Sequence, residues 1–491
     1  MATDVSIKPD ELITLPPALR ASPARAVFTL ALPILGEQLL VFMIGFFDIW
    51  LSGQVSLEAT NALGAALYVS WLASLMVGTV GIGAHAMVAN RWGAGRFQDA
   101  QLVARRAMIW AALVGITCTG LGYLLSGTYA WSIGMRGDDL TITTRYLRLA
   151  SLCFAFQSIT LCGAAIMRAT GNMKIPLLVQ AGIFVLNMPA SYCLVYGLGG
   201  MPALGVDGIV IGTVFAQACG GIAMASLLNF GPTSITRARH VRSDADNSHT
   251  EFGPIQPLTA YEKVVDGHDA DHKNINRDLL RLGLPVLGEG ISTWSGHLIF
   301  IGLVKSLGSA TFAAHIIAME VEGISYLLAV AWGRSAATLV GQSIGAGRRD
   351  LASKFGLYAC LQVCVIAAVT SLIFYFGSGQ IFHLMHKSPE VWDVGIPAMK
   401  LLAAYQFQLG VLIVLNQAAQ GAGETRIPFF SSLFGIYLIR LPVAYFLGIH
   451  LQMGLIGIWL GMICDITIRC LFMIFYWIFR ISRREIRSKP A

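Results

Sequence analysis

The sequence predicts an all-α polytopic membrane protein with twelve transmembrane helices in two pseudo-symmetric six-helix lobes. Three observations predict it. First, 55% of the 491 residues are hydrophobic and 12% charged, about half the roughly 25% charge of soluble domains, and the mean hydropathy is +0.66. Second, about twelve apolar runs each reach the roughly 20 residues that a helix needs to cross a bilayer. Third, short motifs recur at one fixed spacing along the chain. A β-barrel is excluded, because its strands alternate apolar and polar residues. The 52 glycines, a surplus over the average of about 7%, fit membrane helices whose backbones approach closely.

In chain order, the apolar runs and their turn signals place helices at 27–50, 62–88, 103–125, 141–167, 174–196 and 206–229, and then at 280–305, 310–340, 353–378, 395–420, 427–449 and 454–480. Helix 1 carries Pro33, which removes a backbone hydrogen bond and permits a bend; Pro285 does the same in helix 7. Helix 2 closes on the Gly93-Ala-Gly95 turn and helix 8 on Gly345-Ala-Gly347. Between helices 6 and 7 the hydropathy collapses into SDADNSHTEFGP and DGHDADHK. The organisation is therefore an amino-terminal lobe over 1–229, a polar cytoplasmic linker over 230–278, and a carboxy-terminal lobe with a basic tail over 279–491. His268-Asp-Ala-Asp-His272 in the linker has metal-binding residue types, but reads first as solvated connector.

The repeats carry the most information. Pro33-Ile-Leu-Gly36-Glu37 returns as Pro285-Val-Leu-Gly288-Glu289, Gly93-Ala-Gly95-Arg96 as Gly345-Ala-Gly347-Arg348, and Gly171-Asn-Met-Lys-Ile-Pro176 as Gly423-Glu-Thr-Arg-Ile-Pro428. Every pair is 252 residues apart. A constant offset means that the loops match in length, as a duplicated six-helix unit requires. Six is even, so both copies enter the membrane in the same direction and the lobes are expected to be related by an axis along the membrane normal, with substrate between them near the midplane.

The net charge of +7 is mainly a topology signal. With a cytoplasmic amino terminus, 26 Lys and Arg fall in inside segments and six outside, while Arg440 and Arg469 lie within helices. By the positive-inside rule both termini are cytoplasmic. No basic stripe with interleaved aromatics occurs, which argues against a nucleic-acid partner. The nine cysteines lie in apolar segments and read as small packing residues, with no disulfide or metal framework. The first 26 residues lack the pattern of a cleavable signal peptide, so helix 1 is expected to be the insertion signal.

An intramembrane carboxylate costs about 2.5–3.5 kcal/mol on insertion scales. Asp48 therefore needs water, a cation, a proton or a donor, and protonation is the cheapest remedy. Glu37 lies three turns earlier and about 20° round the helix, so both acids share one face above Pro33. Each either accepts hydrogen bonds from neighbouring helices or titrates during a transport cycle, and helix 1 is the element expected to move. Asp465 and Arg469 are i and i+4 on helix 12 and should pair, with Arg440 as an alternative partner.

The ordered set of motifs, duplicated in two halves, resembles the multidrug and toxin extrusion (MATE) family over everything except the linker and termini. The matching residues are Pro33 and Asp48 in helix 1, the two Gly-Ala-Gly turns, Arg168-Ala-Thr-Gly171-Asn-Met-Lys-Ile-Pro176, and Asn187 followed by the Gly-rich stretch Leu198 to Gly208. The resemblance implies a V-shaped pair of lobes that exports organic, often cationic, compounds in exchange for protons or sodium. It further implies an amino-terminal cation site of Asp48, Asn187 and Thr213, in which the family's second helix 5 acid is here Ser191. That departure removes one negative charge, and a hard cation such as sodium favours several anionic oxygens, so it tilts the coupling towards protons.

In the second half, Glu320 matches a helix 8 glutamate that some family members use for cation recognition. Glu322 is about 200° round from it, so the two cannot face one cavity. Glu289 follows Pro285 by four residues, whereas the family's helix 7 acid falls on Thr293 and its helix 10 acid at or beside Leu409. Gln157 is either a polar lining residue or an interhelical hydrogen-bond donor. Tyr68, Trp71, Trp294, Tyr326 and Trp332 lie on helices that would line the family's cleft; they are either cation-attracting faces or packing residues.

The expected function is that of a secondary active antiporter exporting amphipathic or cationic xenobiotics, in a bacterial inner or plasma membrane, as a monomer surrounded by lipid. No cofactor is expected beyond the coupling ion, H+ or Na+. A lipid-linked oligosaccharide flippase shares the duplicated design, but would be expected to have a basic cavity. A membrane receptor or enzyme is the third reading; an enzyme would need a convergent nucleophile and base or a metal cluster, and the sequence shows none. No P-loop occurs either, which argues against ATP hydrolysis.

Overall fold

The computed structural model describes residues 17–132, 135–230 and 274–482. After a helical turn at Pro17–Arg20 come twelve helices. The first six are α1 (Pro23–Val55), α2 (Leu57–Gly93), α3 (Phe97–Ser132), α4 (Gly137–Ala169, interrupted at Leu152), α5 (Lys174–Tyr196) and α6 (Val206–Phe230). The second six are α7 (Asn274–Lys305), α8 (Ser309–Gly345), α9 (Arg349–Met385), α10 (Pro389–Gly421), α11 (Arg426–His450, with π turns from Gly435) and α12 (Gly454–Tyr476). Eleven are long and apolar enough to cross a membrane. α7 is not among these, since Glu289, Ser292, Thr293, Ser295 and His297 interrupt its apolar run. Most of the linker, including His268 and His272, lies outside the described residues.

The duplication read from three motifs extends to the helix boundaries. α2 to α5 begin at 57, 97, 137 and 174, and α8 to α11 at 309, 349, 389 and 426, each 252 residues later. The repeated glycines explain why the boundaries hold. Gly95 and Gly347 have φ of 74° and 70°, and Gly171 and Gly423 have φ of 89° and 83°, a left-handed geometry that glycine adopts without a Cβ penalty. Each closes the preceding helix in a Schellman motif. Arg96 N donates to Arg91 O at 2.9 Å and Arg348 N to Ser343 O at 2.8 Å; Asn172 N donates to Met167 O at 3.1 Å and Glu424 N to Ala419 O at 2.9 Å.

The chain forms two compact units, one of residues 1–35 and 288–491, the other of residues 36–287. Both divisions fall two residues past a proline, after Pro33 in α1 and after Pro285 in α7, and they too are 252 apart. In the unit holding 288–491, α10 packs against α8, α9 and α12, and the start of α1 is tied in by Ser335 Oγ donating to Val27 O at 2.9 Å and Gln362 Nε2 donating to Ala24 O at 2.7 Å. In the unit of 36–287, α4 packs against α2, α3 and α6. There Trp110 Nε1 donates to Asn276 Oδ1 at 3.1 Å, and a Cβ at Gly83 would sit 3.0 Å from Leu279 O. These contacts use residue pairs that are again offset by 252.

Small residues set how closely helices approach. A Cβ at Gly208 would lie 2.7 Å from the Leu194 backbone, and one at Gly212 would lie 2.6 Å from Ser191 Cα. α6 therefore rests directly on the α5 backbone. Gly457 and Gly461 place α12 on α11 in the same way. This contact fixes the height at which α5 and α6 present side chains to α1.

Candidate functional site

In the unit of 36–287, α1, α5 and α6 bring Asp48, Asn187 and Thr213 together. Thr213 Oγ1 donates to Asp48 Oδ2 at 3.2 Å and accepts from Asn187 Nδ2 at 2.9 Å; it also lies 3.1 Å from Ile209 O. Asp48 and Asn187 are buried, yet Asp48 Oδ1 and Asn187 Oδ1 accept no hydrogen bond from the described residues. Two lone-pair-bearing oxygens held in a buried setting and left without donors are what a proton or a small cation would complete. Ser191 does not join them. Its hydroxyl donates to Ile209 O at 3.2 Å, and Gly212 packs against it so closely that the position suits a small side chain. Among the described residues the site thus has one carboxylate.

Glu37 shares the helix face with Asp48 but not its surroundings. Nη1 of Arg168, at the end of α4, lies 2.9 Å from both Glu37 carboxylate oxygens, and both residues are 6% exposed. The expectation that Glu37 takes part in ion coupling meets a physical objection here: a carboxylate held by a buried guanidinium already has its counter-charge, and removing either partner strands the other. Glu37 ties α1 to α4. Arg168 opens the stretch Arg168–Pro176 that carries the family resemblance, but sequence spacing alone did not pair it with Glu37. Gln157 Nε2 donates to Ser74 Oγ at 3.2 Å, an interhelical bond between α4 and α2.

In the unit holding 288–491, Glu289 of α7 accepts from Gln420 Nε2 at 3.1 Å and from Ser432 Oγ at 3.3 Å. Ser432 Oγ accepts in turn from Arg469 Nη1 at 3.1 Å. Asp465, fully buried, binds Arg469 through Nε at 2.7 Å and Nη2 at 2.8 Å, and Arg440 through Nε at 2.9 Å and Nη2 at 2.7 Å. The i, i+4 pair and the alternative partner are therefore satisfied together. Glu320 is exposed, whereas Glu322 is buried and accepts from Tyr405 Oη at 2.5 Å. Sequence reasoning had given Glu322 no role.

The aromatic residues divide. Trp71 and Tyr326 are exposed and Trp294 is half-buried. Trp332 belongs to the core: it is 4% exposed, packs edge-on to Phe28, and donates to Gln362 Oε1 at 2.8 Å. The Tyr68 side chain lies outside the described residues. Pro33 and Pro285 both sit inside continuous helices.

Twelve helices from a duplicated six-helix unit, with acids and arginines buried among them, define a polytopic membrane transport protein. The chain belongs to the MatE family, whose model matches residues 33–193 and again 285–446. It is an integral, multi-pass membrane transporter and not an enzyme. A relative described as "Probable multidrug resistance protein NorM" from Thermotoga maritima is 23% identical over 457 residues, 92% of each chain. One of the same description from Shewanella oneidensis is 28% identical over 462 residues, 90% of this chain and 92% of the relative. A solved structure described as "Crystal structure of MATE in the bent conformation" has a TM-score of 0.82 at 18% identity and covers 98% of this chain and 100% of its own. The fold is shared along the full length of that structure.

Proposed function

We propose that this transporter is a secondary active antiporter that exports amphipathic or cationic organic compounds across the cytoplasmic membrane in exchange for protons or sodium. The names of the relatives support drug export. The observation that carries the coupling is Asp48, a buried carboxylate on α1 with one oxygen bonded to Thr213 and the other without a donor among the described residues. A proton added to Oδ1 neutralises the site and makes Asp48 a donor, with Asn187 Oδ1 as an acceptor lacking a partner in the same buried set. Substrate and proton exclude one another if each binds one conformation of the amino-lobe cavity preferentially, with α1 bending at Pro33. One carboxylate and neutral oxygens offer sodium a weaker site than several anionic ligands would, which favours the proton.

On this reading Glu320 and Trp294 in one unit, and Trp71 in the other, each offer a face that attracts a cation, the protein acts as a monomer in lipid, and both termini face the cytoplasm, as the distribution of Lys and Arg favours. The test is efflux of a fluorescent organic cation from proteoliposomes with proton and sodium gradients imposed separately. Export driven by the proton gradient alone and lost in Asp48→Asn supports proton antiport. Wild-type export by Asp48→Asn under that gradient overturns the coupling role.

A further inference from the structure

The membrane helices of the unit holding 288–491 carry Glu289, Glu322 and Asp465 together with Arg334, Arg440 and Arg469. Asp465 spends its charge on the guanidinium groups of Arg440 and Arg469. Glu289 reaches Arg469 through Ser432. Glu322 forms no ion pair among the described residues; it faces Tyr405 and Gln406 from α10, with Arg440 of α11 near enough to act through its field. An ionised carboxylate in that position has no counter-charge among the described residues, either bonded directly or reached, as for Glu289, through a bridging hydroxyl.

The surroundings of Glu322 are polar and built. Tyr405, 1% exposed, donates to Oε1. One turn along, Ser325 donates to Glu322 O and lies 2.8 Å from Gln406 Oε1. Beside Ser325 and Gln406 is a cavity with room for about one water, lined also by Thr370 of α9 and by Leu409 and Gly410. The first half has none of this: the positions 252 residues earlier are Ser70, Ala73, Cys153 and Phe154. Conversely, the counterpart of Asp48 is Phe300. Each half therefore has an acid tied to a specific cross-helix partner, Glu37 or Glu289, and a buried acid without a counter-charge among the described residues, Asp48 or Glu322, at non-equivalent positions; the second half adds Asp465, paired with Arg440 and Arg469.

From this arrangement we infer that Glu322 is a second proton-binding site, separate from Asp48, with Tyr405 as its positioning residue and the Ser325–Gln406 side as its route for proton exchange. The proton adds to the carboxylate to give the neutral acid. Other titratable groups of these helices include His297 on α7, Glu320, Tyr326, Arg334 and His315 on α8, Cys360 and Cys364 on α9, Asp393 and Lys400 on α10, and Tyr437 on α11; His315 Nδ1 accepts from Trp459 Nε1 at 3.2 Å. None is a hydrogen-bond partner of Glu322.

The inference rests on the antiport reading only for the direction of proton flow, and the binding is measurable without transport. In pH-difference infrared spectra of the full-length protein in nanodiscs, Asp48→Asn should keep a titrating carboxylic-acid C=O band. Asp48→Asn/Glu322→Gln should lose it, Asp48→Asn/Glu289→Gln should keep it, and Asp48→Asn/Tyr405→Phe should move it to higher frequency. Absence of the band in Asp48→Asn, or its loss with Glu289→Gln in place of Glu322→Gln, overturns the assignment. Should the Glu322→Gln protein fail to fold, an unmoved band in Asp48→Asn/Tyr405→Phe overturns it as well. Wild-type efflux by Asp48→Asn with the Glu322 band present would remove Asp48 from the coupling and leave this site standing.

Discussion

Glu37 and Arg168 form a buried ion pair with both carboxylate oxygens 2.9 Å from one guanidinium nitrogen, whereas the residues 252 positions later, Glu289 and Gln420, meet through an amide at 3.1 Å. The duplicated backbone holds the same cross-helix contact in both halves while the charge differs. In the first half the acid is neutralised on the spot; in the second its counter-charge arrives from Arg469 by way of Ser432.

Breaking a buried pair by removing one partner costs about 3–5 kcal/mol, because the other charge is left uncompensated. Arg168→Met should therefore lower thermal stability strongly. Glu37→Gln/Arg168→Met, which removes both charges, should regain most of the loss. The check is the unfolding midpoint in detergent for the two single variants and the double. A double variant as unstable as the sum of the singles would show that the pair is not an energetic unit.

Thr213 both donates to Asp48 and accepts from Asn187. Hydrogen bonds to charged groups contribute about 1.5–3 kcal/mol, on the order of tenfold or more in an equilibrium constant. Thr213→Val, nearly isosteric, should cut proton-driven efflux by about that factor, and Thr213→Ser should retain it. Equal efflux from the Val and Ser variants would remove the hydroxyl from the coupling site.

The helix-closing glycines allow a matched comparison between the halves. An L-residue in the left-handed region costs about 1–2 kcal/mol, so Gly171→Ala and Gly423→Ala, at φ of 89° and 83°, should each destabilise by that amount. Gly171→Asn should cost less, since asparagine tolerates this geometry better. Chemical denaturation of the three variants decides it; an unaffected alanine variant at either position would mean that the turn relaxes.

Much of the fold was legible because the repeat is positional. A 252-residue offset seen in three motifs also orders the starts of α2 to α5 against α8 to α11, and the motif glycines adopt the φ values that closing a helix demands. Helical periodicity likewise placed Asp465 beside Arg469 and put Glu320 and Glu322 on different faces, as found. Cross-helix partners were not legible. Arg168 reaches Glu37 across 131 residues, and Ser191 turns its hydroxyl to Ile209 O on the neighbouring helix, because tertiary packing, not local spacing, decides which face meets which. The interruption of α4 at Leu152 and the π turns of α11 were equally invisible. The π turns begin at Gly435, where Asp465 and Arg469 crowd the backbone too closely for a side chain.

The same crowding makes Asp465 the most consequential single charge in its unit. It is fully buried and holds two arginines in four hydrogen bonds or ion pairs of 2.7–2.9 Å. Asp465→Asn leaves two guanidinium groups facing one another at low dielectric, and should destabilise by at least the roughly 3–5 kcal/mol of a broken buried pair. Rescue should be unequal. Asp465→Asn/Arg440→Met removes the excess charge while Arg469 keeps its link through Ser432 to Glu289, so stability should partly return. Asp465→Asn/Arg469→Met also takes the cation from Glu289 and should return less. The measurement is the unfolding midpoint of the three proteins, with wild type as reference. Equal rescue by the two arginine substitutions would show that Glu289 does not depend on Arg469 for its counter-charge.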